Sequence, residues 1–207
     1  MSFRIALEKA GKSYADRWIF RNLDMELGPG DSLALLGPNG SGKSTLMLTL
    51  AGYIRPTEGK WQAWKNDAPV PVEQAGTSIS LCMPGMETFE EFSLEQVLRL
   101  HTATRRMLVE TDPVSLAERM LFEPTNLIKP VRFFSSGMKQ RLKLGLAMLT
   151  ASEAVFLDEP LTNLDARGTE WYYRLIEELL GNRMLVVASN RPDEYPMCKS
   201  TFSLSAG

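Results

Sequence analysis

The nine-residue run 37–45, GPNGSGKST, limits what this chain can fold into more than any other stretch. The apolar run 32–36 before it is typical of a buried strand, and residues 46–51 after it are predicted to form a helix that ends at Gly52. A strand, a glycine-rich turn and a helix in this order form the context of a phosphate-binding loop. A chance loop rich in Gly and Ser is the alternative, and six fixed positions in this context disfavour it. The sequence therefore predicts a site for a nucleoside triphosphate.

This loop has the chemistry that phosphate binding requires. Its glycines allow a tight turn that points successive N–H groups at an anion, and the following helix directs its positive end to the same place. Lys43 is expected to reach the terminal phosphates as a point charge, and the Ser44 hydroxyl is expected to bind Mg²⁺. The residues predicted to bind the nucleotide are Gly37, Pro38, Asn39, Gly40, Ser41, Gly42, Lys43, Ser44 and Thr45.

Two adjacent acids follow a second apolar run, 154–157, which is predicted to be a short buried strand. Open α/β sheets bind their ligands at the carboxyl ends of such strands. Asp158 is expected to hold Mg²⁺, directly or through water, and Glu159 to position or polarise the water that attacks the γ-phosphate. A surface turn with two acids is the alternative, which the apolar run and the following Pro160 disfavour.

Composition narrows the class of protein further. The 207 residues include 23 Lys or Arg and 25 Asp or Glu, and this net charge of −2 argues against a nucleic-acid partner. The two cysteines, Cys82 and Cys198, suggest a reducing compartment and are interpreted as buried small apolar side chains. The first residues lack the apolar core of a signal peptide, and no apolar run is long enough to span a bilayer. We expect a protein that is cytosolic or peripheral to a membrane.

The amino-terminal part is predicted to be mostly strand, because apolar and polar residues alternate there. Tyr14 lies between the first two strands, and two interpretations are open: its ring stacks on a nucleotide base, or it is a core residue at a sheet edge. Trp61 and Trp64 are interpreted as sheet-packing residues. The predicted strands are 3–8, 18–27, 60–64 and 77–83, and a loop is predicted at 70–74.

Helices dominate the rest of the chain. In the irregular segment 84–131, helices are predicted over 93–100, with Ser93 as N-cap, and over 113–122, with Pro113 in the first turn. His101, the one histidine, is interpreted as an ordinary surface or core residue. Further predictions are a long helix opened by Ser135, Ser136 and Gly137, a helix capped by Asp165, a buried strand over 184–188 and an edge strand from Ser200.

Basic residues crowd the start of the helix that follows Ser135, where acids are usual. They are Lys139, Arg141 and Lys143. One interpretation is a solvated basic face. The other is that this helix end meets a strongly negative group such as phosphate.

With these segments in place, the chain resembles the nucleotide-binding subunit of an ATP-binding cassette (ABC) transporter over nearly its full length. Residues 37–45 match the Walker A loop, and 155–160 match Walker B with its catalytic glutamate. Residues 134–141, FSSGMKQR, resemble the family signature LSGGQ with its downstream QR, and 161–165 match the D-loop. The short length is similar to that of cassettes of the haem-exporter, or cytochrome c maturation, type.

The resemblance implies an α/β fold, a P-loop NTPase with a mixed core sheet, an N-terminal antiparallel β subdomain and an inserted helical subdomain. The whole chain, 1–207, would be one ABC ATPase domain. Its core and β subdomain would comprise 1–83 and 132–207, and its helical subdomain 84–131. The implied activity is ATP hydrolysis, with ATP and Mg²⁺ as ligands.

The resemblance also implies a head-to-tail dimer in which each ATP lies between the Walker A loop of one copy and the signature of the other. The partner would be a second copy or a related cassette. A membrane permease would dock near 83–92, which places the protein in the cytoplasm, on the inner face of the cell membrane. Outside Walker A, the resemblance implies these nucleotide-binding residues: Tyr14 at the adenine-stacking position, Ser135, Ser136, Gly137 and Asp165. The implied metal ligands are Ser44 and Asp158. The implied catalytic residues are Lys43, Glu159 and Asn190.

Two family positions are altered. Asn190 stands where the family has a switch histidine, and its amide can donate to phosphate but cannot carry charge or shuttle a proton. The Q-loop glutamine falls at or next to Pro84, where no side chain can bind Mg²⁺, so the nearby acids Glu87, Glu90 and Glu91 are candidate substitutes. The adjoining side chains suit either a groove for a permease helix or local packing; they are Met83, Met86, Phe89 and Phe92.

Two alternatives to a transporter subunit stay open. A soluble ABC ATPase acting on nucleic acid or ribosomes is disfavoured by the acidic balance and the absence of a second cassette. A nucleotide-binding module with weak hydrolysis and a regulatory role is favoured by Asn190 and the missing glutamine. The intact Lys43, Asp158 and Glu159 oppose it.

Overall fold

The computed structural model describes residues 2–205, and these divide into two compact units. The first unit holds the chain up to Leu81, Ser152–Glu159 and the chain from Asn182. The second holds Cys82–Ala151 and Pro160–Gly181. In chain order the elements are β1 (Phe3–Tyr14), β2 (Arg17–Leu27), β3 (Ser32–Leu36), α1 (Lys43–Leu50), β4 (Glu58–Lys65), β5 (Ala68–Pro69), α2 (Val72–Ala75), β6 (Ile79–Cys82), α3 (Leu94–Thr104), α4 (Pro113–Arg119), α5 (Ser136–Leu149), β7 (Ala154–Asp158), α6 (Ala166–Leu179), β8 (Met184–Ala188) and β9 (Ser200–Ser203).

The division into units differs from the predicted subdomains. The predicted helical segment 84–131 falls wholly in the second unit, which also takes 132–151 and 160–181. The second unit is larger than the predicted helical subdomain because α5 contacts α6, and because Gly145 of α5 lies tightly against Met120. The predicted boundaries of the subdomains stay a prediction, and their outermost residues, Met1, Ala206 and Gly207, lie outside the described chain.

A four-stranded sheet forms the amino-terminal part of the first unit, in the order β2-β1-β4-β5 with antiparallel pairing throughout. The strands predicted over 3–8, 18–27 and 60–64 are confirmed, and β1 is longer than predicted because it continues to Tyr14. The strand predicted over 77–83 begins later, at Ile79, because Gly76–Ser78 form a 3₁₀ turn. The loop predicted at 70–74 is wrong in part, since α2 forms there. Pro71 starts this single turn by accepting hydrogen bonds from the N–H groups of Gln74 and Ala75, both at 3.0 Å.

The second sheet of this unit carries the segments predicted to bind nucleotide and has the order β6-β7-β8-β3-β9. Strand β3 pairs in parallel with β8 and β9, and β7 pairs in parallel with β8. All residues of β7 and β8 are buried, which explains their unbroken apolar runs. Together with the antiparallel sheet, this arrangement confirms the predicted α/β fold class.

Strand register decides which loops meet at the edge of the core sheet. Ala188, the last residue of β8, is the register partner of both Leu35 and Asp158. The phosphate-binding loop, the acidic pair and the segment after β8 therefore leave the sheet side by side at one edge.

The second unit is helical, and its helix starts follow local capping chemistry. Ser93 and Gln96 form the predicted capping box, with N–H···O distances of 3.3 and 2.9 Å. Ser135 and Asp165 cap α5 and α6 as predicted. The helix predicted over 113–122 ends earlier, at Arg119, and the chain then turns through Leu121, whose φ is 60°. None of the helices between residues 2 and 205 is long and apolar enough to cross a membrane.

Candidate nucleotide-binding site

The phosphate-binding loop is shaped by two glycines that no other residue can replace without strain. Gly37 has φ 141°, and a Cβ there would lie 2.5 Å from the carbonyl oxygen of Leu204. Gly42, the N-cap of α1, has φ 101°, and a Cβ there would lie 2.0 Å from Cγ2 of Ile19. Both positions need a positive φ and an empty space, and only glycine supplies both.

Lys43 is the first residue of α1 and lies inside the curve of this loop. Its side chain is buried, and Nζ donates to the carbonyl oxygens of Gly37 at 2.7 Å and Pro38 at 3.2 Å. A buried ammonium group held against backbone oxygens is positioned for an anion that enters the loop.

Ser44 and Asp158 meet although 114 residues separate them in the chain. The Ser44 hydroxyl donates to Oδ2 of Asp158 at 2.6 Å. Desolvation by burial raises the pKa of Asp158, and the charge of Glu159 adds to this effect; the Ser44 hydrogen bond and Lys43 oppose it. A hydroxyl and a carboxylate at the mouth of a phosphate site are the donors that Mg²⁺ prefers, and a cation there would lower the pKa of Asp158 again. The pair therefore fits the metal role predicted for it.

Glu159 has an unusual backbone conformation. Its φ is 47°, in the left-handed region that side-chain-bearing residues rarely adopt, and its N–H donates to the Ala188 carbonyl at 2.9 Å. Such a conformation costs about 1–2 kcal/mol, and it persists where the surrounding structure fixes it. The end of β8 therefore helps to fix the backbone of the predicted catalytic carboxylate.

Asn190 reaches the phosphate-binding loop directly. It follows β8, is exposed, and donates from Nδ2 to Oδ1 of Asn39 at 3.0 Å. Sequence reasoning placed Asn190 at the switch position but not on Asn39. This contact joins two of the predicted site segments within the first unit.

Tyr14 is not a core residue, so that interpretation is wrong. The side chain lies at the end of β1, is 49% exposed, and has Nζ of Lys12 5.0 Å from its ring centroid. An exposed ring is available for stacking, and the adenine-stacking role stays a prediction.

His101 is confirmed as an ordinary structural residue of the second unit. Its Nε2 is 2.8 Å from Oγ1 of Thr150, whose hydroxyl lies 2.6 Å from the Leu146 carbonyl oxygen. Burial lowers the pKa of His101 to about 4, with a smaller contribution from the charge of Arg105. The ring is therefore neutral at pH 7.

The signature helix α5 presents its amino-terminal tip to solvent. Ser135 and Ser136 are exposed, and the Ser135 hydroxyl accepts a hydrogen bond from the Met138 N–H at 3.2 Å. A Cβ at Gly137 would lie 2.7 Å from the Asn163 carbonyl oxygen, so this position requires glycine for space. Asp165 uses Oδ1 to cap α6 at the Gly168 N–H, 2.7 Å away.

The basic residues of α5 have partners inside the second unit, which corrects the interpretation of a solvated basic face. Lys139 pairs with Glu90 at 2.6 Å, and Arg141 donates to the Leu121 carbonyl at 2.6 Å. Lys143 donates to the carbonyls of Met83 and Pro84, each at 3.2 Å. These side chains hold neighbouring loops in place, which explains the basic residues without a solvated face. That the helix tip meets a phosphate stays a prediction.

The loop 83–92 carries exposed apolar side chains, which disfavours the local-packing interpretation. Met86, Phe89 and Phe92 are exposed, and the two phenylalanine rings stack with centroids 5.5 Å apart. Of the acids proposed to replace the Q-loop glutamine, Glu90 and Glu91 are paired with Lys139 and Arg132. The role of all three acids at this position stays a prediction.

Sequence reasoning missed two residues next to Asn190. Ser189 and Glu194 are both buried, and the Ser189 hydroxyl donates to Oε2 of Glu194. The run SNRPDEYP has the composition of a surface turn, so no sequence pattern predicts a buried carboxyl group there.

The two cysteines differ from each other: Cys82 is buried as expected, whereas Cys198 is half-buried, with burial raising its pKa to about 12.

Comparison with known proteins agrees with this geometry. The family model described as ABC transporter matches residues 20–162, which is more than half of the chain. The chain therefore belongs to the ABC transporter family of ATP-binding proteins, and so to the ABC ATPases.

Individual relatives support the same assignment. The chain is 32% identical over 192 residues to the daunorubicin resistance ATP-binding protein DrrA3 of Streptomyces coeruleorubidus, covering 90% of this chain and 60% of that protein. It is 31% identical over 189 residues to the cytochrome c biogenesis ATP-binding export protein CcmA of Cupriavidus necator, covering 90% and 82%. The fold matches the ATP-binding cassette MJ0796, in a dimeric post-hydrolysis state bound to ADP and Pi, with a TM-score of 0.81 at 16% identity over 97% of this chain and 94% of that one.

Proposed function

We propose that this chain hydrolyses ATP as the motor subunit of a membrane transporter. The observation that carries the proposal is the pairing of Ser44 with Asp158 at 2.6 Å, beside Lys43 and Glu159 at one edge of the core sheet. This arrangement combines a phosphate cradle, a site for a divalent cation and a carboxylate for water, which are the parts that phosphoryl transfer to water requires.

Each residue has a distinct task in this proposal. The backbone N–H groups of the loop and Lys43 bind the phosphates, and Ser44 and Asp158 hold Mg²⁺. When bound, Mg²⁺ neutralises charge on the phosphate oxygens. Glu159 orients and polarises the attacking water, and Asn190 donates its amide to the γ-phosphate.

Two copies, or this chain and a related cassette, complete each site. The tip of α5 is exposed, lacks acids in its first turn and directs a helix amino terminus outward, which suits a phosphate brought by another chain. Ser135, Ser136, Gly137 and the neighbouring Asp165 form this second half-site. MJ0796, whose fold this chain shares, forms a dimer bound to ADP and Pi.

The permease docks at the loop 83–92. Exposed Met and Phe side chains there offer the soft apolar surface typical of helix docking. Two relatives carry names that refer to drug resistance and export, which supports transport, and the chain spans about three fifths of the length of DrrA3. Such docking places the protein at the inner face of the cell membrane.

The test is ATP turnover of the wild type beside Glu159→Gln. The wild type is expected to turn over at least 100-fold faster, because the amide cannot act as a base, at about the magnitude of general base catalysis. Glu159→Gln should keep ATP affinity and trap an ATP-bound dimer in size-exclusion chromatography. Ser135→Arg should abolish that dimer while leaving ATP binding to the single chain intact.

A second candidate function is a nucleotide-binding regulatory module with weak hydrolysis, which Asn190 at the switch position favours. A wild type that is no faster than Glu159→Gln would support this candidate and refute the proposed motor function. Capture of the chain from solubilised membranes with a permease, rather than with nucleic acid, separates both from a soluble ABC ATPase.

A further inference from the structure

We propose that Glu194 is a positioning residue for ATP hydrolysis, because it anchors the segment from which Asn190 reaches the phosphate-binding loop. This inference rests on the proposed hydrolysis and adds a residue that none of the sequence motifs contains. Glu194 acts through Ser189 and Asn190.

Glu194 is an acidic residue that the fold buries. Glu194 is 1% exposed and Ser189 is 0% exposed. A carboxylate removed from water is strongly unfavourable unless hydrogen bonds and opposite charge compensate it. The Ser189 hydroxyl donates to Oε2, and the Arg191 guanidinium lies 4.0 Å from Oε1. The fold therefore keeps a buried carboxyl group at this point together with specific partners.

The partners of Ser189 fix the chain on both sides of Asn190. The Ser189 N–H donates to the Leu35 carbonyl at 3.1 Å, which ties it to the strand that leads into the phosphate-binding loop. Ser189 Oγ also accepts from the Arg191 N–H at 2.8 Å. Asn190 thus sits between two residues whose backbones are held, and Glu194 holds the hydroxyl that joins them.

The turn that contains Glu194 is held by contacts among its own residues. Pro192–Glu194 forms a 3₁₀ turn in which the Glu194 N–H donates to the Arg191 carbonyl at 3.0 Å. The exposed Arg191 guanidinium pairs with Asp193 at 2.6 Å. Asp193 therefore shares the turn and the arginine with Glu194 but is exposed, which makes it a matched control.

These contacts fix the position of the Asn190 side-chain amide. Asn190 Nδ2 donates to Asn39 Oδ1 at 3.0 Å, and an amide nitrogen has a second N–H that can point at a phosphate in the loop. Displacement of a group by about 1 Å can lower a rate by about 100-fold. Loss of the Glu194 anchor should therefore lower kcat without weakening ATP binding in proportion.

The experiment measures kcat and KM for ATP in Glu194→Ala, Glu194→Gln and Asp193→Asn, each with and without Asn190→Ala. Glu194→Ala is expected to lower kcat by about 10- to 100-fold with KM within about threefold. Glu194→Gln, which can still accept from Ser189, should keep kcat within about fivefold, and Asp193→Asn should match the wild type. In the Asn190→Ala background, Glu194→Ala should have no further effect, because the group that it positions is gone.

Multiplicative losses in the double variant would overturn the proposal, and so would an unchanged kcat in Glu194→Ala. If Glu194→Ala does not fold, Ser189→Ala takes its place in the same cycle, with the same expected lack of additivity. Failure of the proposed function has a different signature: the wild type itself would turn over no faster than Glu159→Gln. That result refutes the hydrolysis and the positioning role together, whereas additivity in an active wild type refutes the positioning role alone.

Discussion

Replacement of Gly42 by Ala should destabilise the protein far more than the same change at Gly40, although both lie in the phosphate-binding loop. Each residue has a positive φ, 101° at Gly42 and 78° at Gly40. An added Cβ at Gly40 meets nothing within 4 Å, whereas at Gly42 it would lie 2.0 Å from Cγ2 of Ile19. The pair therefore separates backbone strain, which both variants share, from steric overlap, which only one has.

The expected magnitudes follow from these two terms. A left-handed backbone costs a residue with a Cβ about 1–2 kcal/mol, so Gly40→Ala should lose that amount. Overpacking adds about 1–3 kcal/mol at Gly42, because the β-branched Ile19 cannot swing Cγ2 aside by a simple χ1 rotation. Gly42→Ala should thus lose about 2–5 kcal/mol in the free energy of unfolding.

Urea denaturation of the two variants measures the difference, provided that the m-value stays unchanged. Ile19→Leu removes the clashing methyl group at similar volume, so it should recover about 1–3 kcal/mol of the Gly42→Ala loss when the two changes are combined. Equal destabilisation by Gly40→Ala and Gly42→Ala would refute the steric argument. So would a combined variant whose loss is the plain sum of the single losses.

Three other predictions concern separate parts of the molecule. Burial lowers the pKa of His101 to about 4 from its usual 6.5, so the stability that this residue contributes is complete above pH 6.5 and should fall by about 2 kcal/mol as the pH drops towards 4, once partial exposure is allowed for. Urea titrations should give the wild type and His101→Gln different dependences of the free energy of unfolding on pH. Parallel pH dependences would contradict this prediction. Asn190→His should raise ATP turnover by about 10-fold or more at unchanged ATP affinity, since a histidine can carry charge and move a proton; steady-state kinetics with no gain in kcat would count against this. Gly137→Ala should lower stability by about 1–3 kcal/mol because its Cβ would lie 2.7 Å from the Asn163 carbonyl oxygen, whereas thermal unfolding of Ser136→Ala, at an exposed position, should stay close to the wild type.

Local signals in the sequence predicted much of the fold. Ser93, Ser135 and Asp165 were expected to start helices, and each caps one, because a cap is a contact between residues three apart. The loop predicted at 70–74 shows the limit of this reasoning. Pro71 begins a helical turn there, and propensity alone does not separate one turn of helix from a loop.

The site itself was predicted in parts rather than as a whole. The family motifs identify Lys43, Asp158 and Glu159, but the partners of Lys143 and the buried Glu194 have no sequence signal. Glu194 lies in a polar run that is typical of a solvent-exposed turn, and Lys143 lies between two leucines of α5. The burial of Glu194 and the partners of Lys143 depend on which backbone segments pass beside them in three dimensions.

By itself, the sequence determined the family, the order of the motifs and the elements that carry them, because these depend on residues close together in the chain. Only the tertiary structure decided that Ser44 donates to Asp158, 114 residues away, and that Asn190 donates to Asn39, 151 residues away. The physical reason is the register of β3, β7 and β8. A parallel sheet brings the carboxyl ends of distant strands to one edge, and a shift in that register would separate these side chains while leaving every motif unchanged.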